Sequence, residues 1–186
     1  MDRDNIIKSL LRKENKIHIY CDLMGMLEAT NGKAANDPDF QRKFKYLYGM
    51  YRSHLSNTFY INYFNYMADN YNNKSITYEE IINTMSKESG RNEASFSSKL
   101  LATINPNRAV WDSNVRSILG IPNVDSIKDA ITAYDNLEDI IKTHYMPSIN
   151  EYRAIVDEAF KDKDWYNQIK ITDMKIIDLI LWCIGG

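Results

Sequence analysis

The stretch from Thr77 to Gly120, TYEEIINTMSKESGRNEASFSSKLLATINPNRAVWDSNVRSILG, decides how the chain is read. Thr77 followed three residues later by Glu80 is a capping-box pattern, and Ile81, Ile82 and Met85 behind it form one apolar helical face. The pattern predicts a helix from Thr77 to Glu88. Ser89-Gly90-Arg91-Asn92 then reads as a turn and Glu93 to Ile104 as a second helix, which stops where Asn105-Pro106 biases the backbone toward extended geometry. After a loop through Arg108-Ala109-Val110-Trp111, Asp112 or Ser113 is the expected N-cap of a short helix. Its buried face is Val115, Ile118 and Leu119, and Gly120 is its stop.

The same signals extend outward. Asn57-Thr58 are placed to cap a helix from Phe59 to Tyr71, Asp125-Ser126 open a long segment that ends near Met146-Pro147, and Thr172 opens the last helix. In that last helix Ile176, Ile177, Ile180, Leu181 and Ile184 share one buried stripe, interrupted in sequence by Asp178. Only 7 Gly and 4 Pro punctuate 186 residues, too few for a many-turned β protein. The expectation is an all-α, compact orthogonal helical domain spanning residues 1–186, built as one body or as two small lobes on a shared core, with 77–120 as its hairpin-like centre.

Composition excludes several classes. Cys21 and Cys183 lie far apart in apolar or mixed helical runs, which suits buried thiols, and His18, His54 and His144 have no ligand spacing, so neither a metal nor any other cofactor is expected. No stretch approaches the ~20 apolar residues of a membrane span, and the first residues lack the basic start and apolar core of a signal peptide. A cytoplasmic protein that does not engage membranes is the expectation. The formal charge is −2, so nucleic-acid binding would have to come from a local patch. The aromatic region Phe40 to Tyr71 offers rings for base stacking, but Tyr60, Phe64 and Met67 recur at helical spacing, and such stripes are more often core. The runs Arg12-Lys13-Glu14-Asn15-Lys16 and Lys161-Asp162-Lys163-Asp164 mix both signs and read as solvated helix ends.

Two residues carry candidate chemistry. Lys99 stands inside the small and apolar run Phe96-Ser97-Ser98-Lys99-Leu100-Leu101-Ala102, where a desolvated amine has a lowered pKa and can form a Schiff base at a sugar C1′. Asp112, at a helix N-terminus, can activate that nucleophile or stabilise positive charge developing on the sugar. The structural alternatives are a Lys99 that snorkels to solvent and an Asp112 that is simply a cap.

A helix, a turn with Gly90, a helix bearing Lys99, and then Val110-Trp111-Asp112-Ser113-Asn114-Val115 resemble the core of the helix-hairpin-helix DNA glycosylase superfamily, the 8-oxoguanine glycosylase fold. Asp178-Leu179-Ile180-Leu181-Trp182 adds to a likeness with bacterial proteins of that fold. The resemblance implies that Lys99 and Asp112 are the catalytic pair of a glycosylase or abasic-site lyase acting on double-stranded DNA. Trp111 and Ser113 would line the pocket for a flipped nucleotide, and Lys87, Gly90, Arg91, Arg108 and Arg116 would contact the DNA. The chain departs from the family in two ways: its turn has one glycine where the family has a Gly-x-Gly, and the 13-residue step from Lys99 to Asp112 is shorter than the family's. The alternative is a helical protein-interaction domain that keeps the fold without the chemistry. A metal-dependent nuclease is disfavoured because no carboxylate cluster is in place.

Overall fold

A computed structural model describes residues 2–185, and among them the chain forms helices and turns with no β-strand, an all-α fold. The first half comprises α1 (Arg3–Arg12), α2 (Glu14–Thr30), α3 (Pro38–Leu47) and α4 (Asn57–Asn70). The hairpin is α5 (Tyr78–Ser89) and α6 (Ala94–Ile104), followed by α7 (Ser113–Leu119) and α8 (Ile127–Ile140). The chain finishes with α9 (Ile149–Phe160), the short α10 (Asp164–Asn167) and α11 (Asp173–Ile184).

Most of these ends follow from capping chemistry. The Thr77 capping box forms in both directions, Thr77 Oγ1 accepting from the Glu80 amide at 3.1 Å and the Thr77 amide donating to Glu80 Oε2 at 2.7 Å. Gly90 closes α5 at φ 72° and Gly120 closes α7 at φ 66°, backbone conformations that favour glycine. Ser126 and Thr172 cap α8 and α11. Two expectations are corrected. Ser56 rather than Asn57 caps α4: its backbone is extended, and its Oγ accepts from the Phe59 amide at 3.1 Å. The segment after Ser126 does not end at Pro147, because a π turn (Ile141–Tyr145) and a 3-10 turn (Met146–Ser148) carry the chain into α9. Pro147 lies in the first turn of the 3-10 piece, where its missing N–H removes no hydrogen bond.

One continuous apolar core runs from Ile6 in α1 to Cys183 in α11. Its centre is α6, in which every residue from Phe96 to Ile104 is buried. α5 packs along α6, with α4 and α8 against α5, while α1, α9 and α11 pack on one another and α7 lies on α11. The aromatic region is mainly core: Phe40, Phe44, Phe59, Tyr63 and Phe64 are buried, with Phe44 edge-on to Phe64 at 5.5 Å. Each of these rings contributes ~1.5–3 kcal/mol of burial. Tyr46 and Tyr51 stand outside that core and are exposed. Cys21 and Cys183 are free and buried. No helix among the described residues is long and apolar enough to cross a membrane.

Candidate functional site

The loop between α6 and α7 delivers Asp112, and buried polar groups hold it. Ser98 Oγ, on α6, accepts from the Trp111 amide at 2.9 Å. Glu138, on α8, has a side chain only 9% exposed and accepts from Arg108 Nε at 2.7 Å and from the Ala109 amide at 3.2 Å. Tyr134 Oη donates to the Ala109 carbonyl at 2.8 Å, and the Tyr134 ring lies parallel to Trp111 with 6.5 Å between centroids. These bonds satisfy the Ala109 amide and carbonyl and the Trp111 amide in a non-helical segment inside the core, groups that would otherwise be costly to bury. The segment ends at Asp112, the cap of α7, whose Oδ1 accepts from the Val115 amide at 2.9 Å.

Lys99 does not snorkel out. It is 8% exposed, with Nζ 3.3 Å from the Tyr48 carbonyl and over the rings of Phe96 and Tyr48 at 5.0 and 5.7 Å. Burial pushes its amine from the ordinary 10.5 down to about 8, with Asp112 and Asp178 pulling the other way. Roughly one molecule in ten then carries a neutral, nucleophilic amine at pH 7, about 300-fold more than an unperturbed lysine offers.

Two clefts open on this pair. The first, about 360 Å³, is lined by Phe96, Lys99, Trp111, Asp112, Ser113 and Arg116 among others. The second, about 250 Å³, again has Lys99, Asp112 and Ser113 in its wall, joined by Tyr48, Asp178 and Trp182. The wall of the second cleft includes an ion pair between Lys175 and Asp178 at 2.6 Å, with side chains 11% and 14% exposed. Burial opposes the Lys175 charge, but Asp178 and the phenols of Tyr48 and Tyr20 outweigh it, holding the ammonium above its ordinary range. The Lys175 ammonium also sits 4.3 Å from the centre of the Tyr20 ring.

No family model, curated protein or solved structure matches the chain. The likeness to the glycosylase core rests on the sequence pattern alone.

Of the nine residues singled out from sequence, Lys99, Trp111, Asp112, Ser113 and Arg116 are brought to one cleft. The remaining four are dispersed. Gly90 is the exposed cap of α5, and Lys87 is exposed in the last turn of that helix. Arg91 pairs with Glu93 at 2.8 Å and donates to the Ser53 carbonyl at 3.2 Å, while Arg108 is held by Glu138. Arg116 itself bonds Asn123. Three of the four expected DNA-contacting cations therefore have intramolecular partners. Tyr48, Lys175, Asp178 and Trp182 were not singled out as site residues. Their signal was Asp178, the one charge inside an otherwise apolar run from Ile176 to Ile184.

Proposed function

We propose that the protein acts on DNA as a glycosylase or abasic-site lyase, with Lys99 as the amine nucleophile and Asp112 as its carboxylate partner. The observation that carries this reading is the convergence of a buried, partly neutral amine and a carboxylate on a shared pair of clefts. The neutral Lys99 amine attacks C1′ of a nucleotide drawn out of the stack. The bond from C1′ to the base breaks, and the base leaves with the electron pair and a proton that the amine sheds. Opening of the sugar ring gives the Schiff base. Asp112 Oδ1 is engaged by the Val115 amide, and no donor among the described residues bonds Oδ2, which supports a role for that oxygen in stabilising positive charge on the sugar. Tyr48 and Trp182 supply flat walls for an unpaired base in the 250 Å³ cleft, and Asp178 supplies an acceptor.

Borohydride trapping on abasic and damaged-base duplexes tests the reading, comparing the parent with Lys99→Ala and Asp112→Asn. The expected result is an adduct that disappears in Lys99→Ala, and base release that is abolished in Asp112→Asn. An adduct that persists in Lys99→Ala removes the nucleophile role, and unchanged base release in Asp112→Asn removes the carboxylate role. Absence of both adduct and salt-sensitive DNA binding favours the second reading, a helical protein-interaction domain. The internal engagement of Arg91, Arg108 and Arg116 and the net charge of −2 support that alternative.

A further inference from the structure

The run Arg12-Lys13-Glu14-Asn15-Lys16 mixes charges in sequence, but folding sorts them. Glu14 is drawn away to Lys163, which it meets at 2.7 Å. Lys13 and Lys16 turn instead toward α11, each with its ammonium 5.5 Å from the centre of the Trp182 ring. Lys16 also lies 6.0 Å from the ring of Tyr46, which is 49% exposed. Neither lysine forms an ion pair with a carboxylate among the described residues. Ammonium groups and flat rings therefore run Lys13, Trp182, Lys16, Tyr46 across the α1–α2 junction, the end of α11 and α3. The ridge is continuous with the candidate site, because Lys16 and Trp182 line the same cleft as Lys99 and Asp112.

We propose that this ridge is a phosphodiester-binding surface that holds the strand on either side of the nucleotide entering the cleft. The inference rests on the DNA reading above and relocates its main electrostatic contact from the hairpin arginines to Lys13 and Lys16. The alternation matches the ligand: an ammonium resting over a ring keeps protons free for a phosphate oxygen, and the exposed Tyr46 ring and half-buried Trp182 ring offer stacking faces to unpaired bases between phosphates. Arg91 and Arg108 are neutralised by carboxylates, whereas Lys13, bonded only to the Ser9 hydroxyl at 3.0 Å, and Lys16 are not, so the counterions that DNA releases should be those displaced here.

The test is the salt dependence of binding to a duplex carrying a tetrahydrofuran abasic analogue. It compares the parent, a Lys13→Ala/Lys16→Ala double variant, and Lys128→Ala as an exposed control on α8, with helicity checked by circular dichroism. The expected result for the double variant is a log–log salt slope shallower by about 2 and affinity weaker by roughly tenfold or more at low salt, with the control unchanged. An unaltered slope in the double variant alongside salt-sensitive binding by the parent overturns the ridge and leaves the DNA reading standing. A parent without salt-sensitive binding overturns both. Binding of polyglutamate as tightly as DNA, with the same loss in the double variant, overturns the assignment to nucleic acid.

Discussion

Replacing Lys99 with methionine keeps most of the side-chain volume and removes the buried charge, and its effect on stability should depend on pH in a defined way. The amine titrates near 10.5 when unfolded and near 8 when folded. Below pH 8 both states are protonated, and the folded protein bears the full cost of the buried ammonium. Between about pH 8 and 10.5 the unfolded chain holds a proton that the folded chain has released, so parent stability gains with rising pH from this group. Each tenfold change in proton affinity is worth ~1.4 kcal/mol, so the fall from 10.5 to about 8 corresponds to about 3 kcal/mol. Lys99→Met has no such titration. Its advantage over the parent should therefore be largest below pH 8 and shrink by about 3 kcal/mol by about pH 10.5. Urea unfolding of both proteins from pH 6.5 to 10.5 measures this, and differencing removes the titrating groups that do not interact with Lys99 together with the constant effects of the new side chain. Near pH 7 the charge term corresponds to a melting shift of about 6–12 °C. A stability difference that stays flat across the window would refute a Lys99 charge buried at a cost.

Four further positions give outcomes that can be checked. Glu138→Gln takes the negative charge from Arg108 while leaving an acceptor for the Ala109 amide, and should destabilise by about 2 kcal/mol in urea unfolding. Asp112→Ala should cost ~1 kcal/mol through loss of the α7 cap, whereas Asp112→Asn, itself a good cap, should cost only a few tenths; equal losses would show that the cap is not what the fold uses. Gly90→Ala meets open space and should show only the ~1–2 kcal/mol penalty of its left-handed backbone. Gly32→Ala should be markedly worse in thermal melts, since at φ 86° its new Cβ would also overlap the Tyr71 side chain.

The elements that were legible in sequence are those whose ends are set within three or four residues. The Thr77 box, the Gly90 and Gly120 stops and the Thr172 cap need only neighbouring residues to act, so they read correctly without the tertiary fold. The passage through Pro147 did not, because a proline that ends an α-helix is harmless in the first turn of a 3-10 piece, and packing decides which one forms. The apolar neighbours of Lys99 left two readings open, a desolvated amine and a side chain that snorkels to solvent, and only the packing of α3 and α11 around it decides for burial. The second cleft was not legible either, since Tyr48 and Asp178 reach Lys99 from α3's end and from α11, separations that no local pattern encodes. The sorting of Lys13 and Lys16 from Glu14 was hidden for the same reason: the partners that separate them, Trp182 and Lys163, lie far along the chain.

The burial of α6 from Phe96 to Ile104 also governs how the site can move. Only the first two residues of α6, Ala94 and Ser95, are partly exposed, so the amide protons from Phe96 to Ile104 should be among the slowest to exchange with solvent. Lys99 is thus anchored to a deeply buried helix, and any adjustment of the clefts to a ligand falls to the walls contributed by α3, α7 and α11. The reactive amine stays fixed while its surroundings adapt.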